Sequence, residues 1–185
     1  MAYTDKANVL AIGTGEISTG AKVATGLELE ATWTAQFVSL EGTCKITQAA
    51  DTVNKVKIDQ SDAAIGVTRV KGEITVEFDL PNTAASMWEK FYNEASGTAA
   101  MYAATAGKTV TGILLTAKDI SDMLKIKMKK GGQTYIFPNL DWGSAFKKDS
   151  ETNPACFTIS CTVLGTVDGT APDMIIVTDQ DGSAA

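Results

Sequence analysis

A mainly β fold of the α+β kind, an antiparallel β-sandwich or barrel with one flanking α-helix and an extended loop and arm, is predicted by three observations. Several segments alternate apolar and polar residues at the two-residue period of a half-buried strand. Only one stretch, within 83–95, repeats its apolar residues at helical spacing. Thr, Val, Ile and Gly are common while helix-favouring Leu and Glu are not, a balance that suits sheet. The 185 residues, 44% of them apolar, suffice for one core. They divide into an arm over 1–20, a single β domain over 21–178 and a flexible tail over 179–185.

The arm begins polar, passes a short apolar run at 9–12 and becomes rich in Gly and Thr, which predicts one short strand. Leu27, Leu29, Ala31, Trp33, Ala35 and Phe37 then alternate with Glu28, Glu30, Thr32, Thr34 and Gln36. Such a strand spans roughly 40 Å, so it bends midway or projects to pair with another chain. Cys44 and Ile46 oppose Lys45 and Thr47 in the next strand. A polar connection over 48–54 leads to Val56 and Ile58, which alternate with Lys55, Lys57 and Asp59, and 60–71 reads as a second loop. Ile74, Val76, Phe78 and Leu80 against Glu73, Thr75, Glu77 and Asp79 form another clean strand.

Pro81 and Asn82 end that strand, and Asn82 or Thr83 can cap the helix that follows. Its stripe of Ala84, Trp88, Phe91 and Ala95, with Met87 beside it, is expected to lie across a sheet, and Gly97 to stop it. Residues 98–111 read as a loop. Ile113 to Leu115 resume strand, then Leu124, Ile126 and Met128 alternate with Lys125, Lys127 and Lys129. Lys130, Gly131 and Gly132 make a turn and 135–137 returns, the strongest hairpin in the chain. A polar loop over 141–154 precedes Phe157, Ile159, Cys161 and Val163, which face away from Thr158, Ser160 and Thr162. A last strand falls at 174–177.

Chemistry is bounded by what is missing. The chain has no histidine, which removes the commonest general base and the Ser-His and Cys-His nucleophile pairs. No catalytic residue, metal site or cofactor is expected. Carboxylate pairs such as Glu28 with Glu30, or Asp59 with Asp62, have the spacing of a solvated strand face or a turn. A net charge of −6 and a lone arginine, Arg69, disfavour sequence-specific nucleic-acid binding. Three cysteines, Cys44, Cys156 and Cys161, form no Cys-x-x-Cys pair, and their odd count fits reduced thiols. Cys161 reads as a core residue, with Cys156 facing the other way. No run approaches the roughly 20 apolar residues of a membrane span, so no membrane partner is expected.

The order of elements resembles the bacteriophage tail tube family. Gly42, Thr43, Cys44, Lys45, Ile46 and Thr47, the strand over 72–80 running into a helix over 83–92, and the hairpin over 123–137 carry the resemblance, which covers roughly 27–177. It implies hexameric rings of this chain, with strands joined into a continuous inner barrel and rings stacked into a tube through which DNA passes as cargo. It also implies tape-measure and other tail proteins as partners, and a place in the virion tail after assembly in the bacterial cytoplasm. An acidic lumen would repel DNA; Glu28, Glu30, Glu73, Glu77 and Asp79 are the candidates to line it. Ring stacking would fall to the arm and to the loop over 48–71, with Gln48, Asp51, Asn54, Asp59, Asp62 and Arg69. The lysines of 125–129 do not suit such a lumen and are expected to face outward or toward acids of a neighbour. Two other classes stay open: a secretion-system tube or head decoration protein, and a monomeric ligand-binding β-barrel.

Overall fold

The computed structural model describes residues 12–21, 33, 35–58, 61–95, 110–120, 122–130, 132–148, 154–165 and 172–178, without the side chains of 12, 35, 36, 57, 58 and 61–65. In chain order the elements are β1 (Ile12–Gly20), β2 (Ala35–Phe37), β3 (Lys45–Gln48), β4 (Thr52–Ile58), β5 (Ser61–Val70), β6 (Ile74–Leu80) and α1 (Ala85–Phe91). There follow β7 (Tyr92–Glu94), β8 (Ile113–Ala117), β9 (Met123–Lys130), β10 (Gln133–Phe137), β11 (Leu140–Lys147), β12 (Cys156–Val163) and β13 (Ile175–Thr178). The fold is mainly β, every ladder is antiparallel, and α1 is the one helix among the described residues.

Alternation in the sequence decides which side of each strand is covered. In β6, Ile74, Val76, Phe78 and Leu80 are buried while Glu77 between them is exposed. The same holds for Phe157, Ile159 and Cys161 in β12 and for Leu124 and Ile126 in β9. Two sheets result, one of five strands in the order β13-β10-β9-β1-β2 and one of four in the order β11-β12-β6-β3. Their inner faces share one core, and Phe37 of the first sheet meets Phe78 of the second with ring centroids 6.3 Å apart. The architecture is therefore a sandwich. Each fully buried Phe or Ile contributes about 1.5–3 kcal/mol through the water it sheds.

One end of the sandwich is closed by α1. A helix of seven residues is unstable alone; this one is held by packing, because Met87 and Phe91 are buried and Trp88 and Phe91 lie 4.8 and 5.8 Å from the Phe157 ring. The β9–β10 hairpin forms where the sequence places it, with Gly132 at φ 58° in the left-handed region that its turn needs.

Several expectations are corrected. Residues 12–20, read as the Gly- and Thr-rich part of the arm, form β1, which lies between β2 and β9, while residues 1–11 lie outside the described residues. The pattern of β1 was hidden because only Ile17 among its inward positions is strongly apolar, Thr19 being buried beside it, and because the register shifts between Thr14 and Glu16. The loop assigned to 60–71 is strand β5, and the first half of the loop assigned to 141–154 is strand β11. In β11 the inward series Leu140, Trp142, Ser144 and Phe146 is interrupted by a serine, and Phe146 is 44% exposed. The helix stops at Phe91, before the Ala95 expected to complete its stripe and the Gly97 expected to stop it, since Tyr92 is already extended and pairs with Ala117. Its N-cap is Ala84 with no side-chain cap; Asn82 instead accepts the Ala84 N–H through Oδ1 at 3.0 Å. Cys156 has the opposite parity to Cys161 but is buried as well. Most of the long strand read at 27–37, and the segments at 98–109 and 179–185, lie outside the described residues.

Candidate assembly surfaces

The four-stranded sheet presents an open polar face. Behind the buried row of β6, Thr75, Glu77 and Asp79 point outward, with Glu73 just before the strand. Across the ladders Lys45, Glu77, Ser160 and Gly143 form one row, and Thr47, Thr75, Thr162 and Asp141 the next. Thr162 donates its hydroxyl to Glu73 Oε1 at 3.2 Å. Short hydroxyls and carboxylates therefore dominate this surface. Its margins are β3 and β11, each paired on one side only among the described residues. Every residue of β3 is exposed. Such margins offer unpaired backbone groups to another strand.

The outer face of the five-stranded sheet is different. Ser18, Met123 and Ile136 lie on it yet are buried. Lys125 sits 5.0 Å from the Trp33 ring and 3.7 Å from Glu16 Oε1. Ser18 donates its hydroxyl to the same carboxylate oxygen. That hydrogen bond holds the Glu16 carboxyl below its usual range; burial opposes it, and Lys125 and Lys127 add to it. The acid that answers Lys125, the first lysine of β9, is thus supplied within the chain by Glu16, and Lys127, Lys129 and Lys130 are exposed.

The third surface is the β4–β5 ribbon. Ala49 N–H donates to Glu73 O at 2.8 Å and Gly72 N–H to Asp51 Oδ1 at 3.0 Å, so the ribbon grows out of the β3–β6 ladder. A Cβ on Gly72 would lie 1.8 Å from Ala49 O, and only glycine permits this approach. Lys71 forms an ion pair with Asp173, ahead of β13. From there β4 runs about 23 Å at 3.3 Å per residue. Val53, Val56, Val67 and Val70 are 45–57% exposed, and the pairs Val53 with Arg69 and Thr52 with Val70 place these valines on both faces.

The expected stacking residues are thus distributed along one projection. Gln48 ends β3, Asp51 ties the base, and Asn54 and Arg69 are exposed on opposite faces of the shaft. Asp62 lies in β5, and Asp59 is outside the described residues, as are Glu28 and Glu30. Of the lumen candidates, Glu73, Glu77 and Asp79 share one sheet face. The sequence did not reveal β11, which forms a margin of that sheet; the alternation of Leu140 with Trp142 was its one signal.

Among the described residues no group of three or more His, Cys, Asp or Glu is placed to hold a metal, and no helix is long and apolar enough to cross a membrane. Cys44, Cys156 and Cys161 are free thiols. Burial pushes Cys44 up from its usual range and Cys161 further, with the Asp141 charge adding to the second. A cavity of about 350 Å³ between β3 and the five-stranded sheet is lined by Cys44, Ile46, Ile126, Met128, Tyr135 and Met174, together with Thr14. No protein-family model matches the chain, and no curated protein matches it.

Proposed function

We propose that the chain is a structural virion protein that assembles into hexameric rings stacked as a bacteriophage tail tube. One observation carries this reading: the four-stranded sheet is polar on its open face and, among the described residues, unpaired at both margins, so copies can extend it edge to edge around water. Joining β11 of one copy to β3 of the next satisfies the backbone groups that each leaves open. Glu73, Glu77 and Asp79 then face the bore, where six-fold repetition gives a negative lining that repels DNA. The face of the five-stranded sheet, partly buried and rich in lysine, looks outward. The ribbon stacks one ring on another.

In this role the chain performs no catalysis and needs no cofactor. Its partners are copies of itself, a tape-measure protein and other tail proteins, with DNA as passing cargo, and its place is the virion tail after assembly in the bacterial cytoplasm. Negative-stain microscopy of the purified protein at high concentration tests the reading. Hollow rings or tubes are expected. Particles that stay single at every concentration and ionic strength would contradict it.

A further inference from the structure

We infer that the two ends of the subunit are complementary, and that the β4–β5 ribbon of one copy docks on the β7–β8 hairpin of the next. This rests on the tube reading and adds the surface that receives the ribbon.

The ribbon and the hairpin lie at opposite ends of β6. The ribbon leaves at Gly72, before Ile74; α1 and β7 pack where β6 finishes, because Leu80 pairs with Phe157, Phe157 with Phe146, and Trp88 lies 4.8 Å from the Phe146 ring. Tyr92, the first residue of β7, donates its hydroxyl to Ser144 O of β11 at 3.1 Å. About 20 Å of β6 separates the two projections.

Their surfaces match in chemistry. On one face of the ribbon Val53 and Val67 are exposed beside Lys55 and Arg69, and the shaft over 52–56 and 66–70 carries no acid. On the hairpin Leu115 is 78% exposed and shares a face with Glu94, which pairs with Ile113. Glu89 and Asp119 are exposed nearby, and Lys118, the exposed lysine beside Asp119, donates through Nζ to Glu89 O at 3.3 Å. The ribbon face of Val53, Lys55, Val67 and Arg69 is apolar and basic, and the hairpin face of Leu115 and Glu94 is apolar and acidic. A two-stranded ribbon is marginal in water without further packing, and exposed valines and leucines gain by covering one another. A contact between two different patches is heterologous: it runs head to tail and does not close on itself, as a stack of rings requires.

Cross-linking between variants whose introduced cysteine is the exposed one, Cys156 and Cys161 being buried, tests the contact. Val67→Cys and Leu115→Cys chains, each also carrying Cys44→Ser, are mixed under assembling conditions and oxidised. The mixture is expected to give at least tenfold more cross-linked dimer than either variant alone. In parallel, Lys55→Glu with Arg69→Glu should raise the concentration needed for assembly at least tenfold, and adding Glu94→Lys with Asp119→Lys to the same chain should bring it back, with melting curves unchanged throughout. Tubes that form without the mixed cross-link, or charge-reversed ribbons that stack as well as the parent, would overturn the docking while leaving the tube reading standing. A parent chain that never assembles would overturn both.

Discussion

Strand β6 and the β4–β5 ribbon are both rich in β-branched residues, and they meet opposite fates. Ile74 and Val76 of β6 are buried under the second sheet, whereas the valines of the ribbon are about half exposed on two faces. Strand propensity is similar in the two, so burial is what separates them. The sandwich supplies its own cover. The ribbon finds none among the described residues, and a surface left uncovered by its own chain is where a partner is to be sought.

If that contrast is correct, damage to the sandwich and damage to the ribbon separate into stability and assembly. Phe157→Ala should have the largest effect, since the ring is fully buried among Trp88, Phe91, Tyr92 and Phe146. A loss of about 3–5 kcal/mol is expected from denaturant unfolding, and a loss below about 1 kcal/mol would mean that this cluster is not the core. Gly72→Ala places a methyl group against the Ala49 carbonyl. It should cost about 1–3 kcal/mol, measured in the same way, and shift the ribbon base. Replacing residues 52–70 with a two-residue turn should cost about 1 kcal/mol or less while abolishing tubes under the microscope. Tubes that still form would relieve the ribbon of its stacking role.

The smallest effect concerns pH. The carboxyl of Glu16 is depressed in the folded chain, so the stability it adds is present above its unfolded value, near 4.5, and is lost as pH falls through the folded one. Glu16→Gln should therefore flatten the stability profile below about pH 4.5 and leave its slope near neutrality unchanged. An identical acid limb in both proteins would show that the Ser18 and Lys125 contacts contribute nothing.

Legibility in the sequence followed the same divide. Where one face is covered and the other wet, as at Ile74 to Leu80 or Phe157 to Val163, the two-residue period announced the strand and its inward side. Glu73, Glu77 and Asp79 were legible as one outward face for that reason. Where neither face is covered, as at Val67 to Val70, no period exists and β5 read as a loop. β1 and β11 were hidden differently: Thr19 and Ser144 occupy inward positions, while a Cβ on Gly15 or Gly143 would lie 3.2 or 2.9 Å from a neighbouring strand's carbonyl oxygen, a closeness that no hydropathy pattern records. The helix was overextended because Phe91 and Ala95 continue its spacing, whereas the strand that captures Tyr92 lies far along the chain. The lysines of β9 gave no sign that Glu16, on a strand not foreseen, would answer them.

Hydrogen exchange on dilute and concentrated protein, read segment by segment, tests most directly the claim that neighbours complete these sheets. Amides of β6 should be protected in both samples. Those of the β4–β5 ribbon, together with the open edges of β3 and β11, should exchange quickly when dilute and slow at least tenfold on concentration. Ribbon and edge amides that exchange equally fast at every concentration would contradict the account.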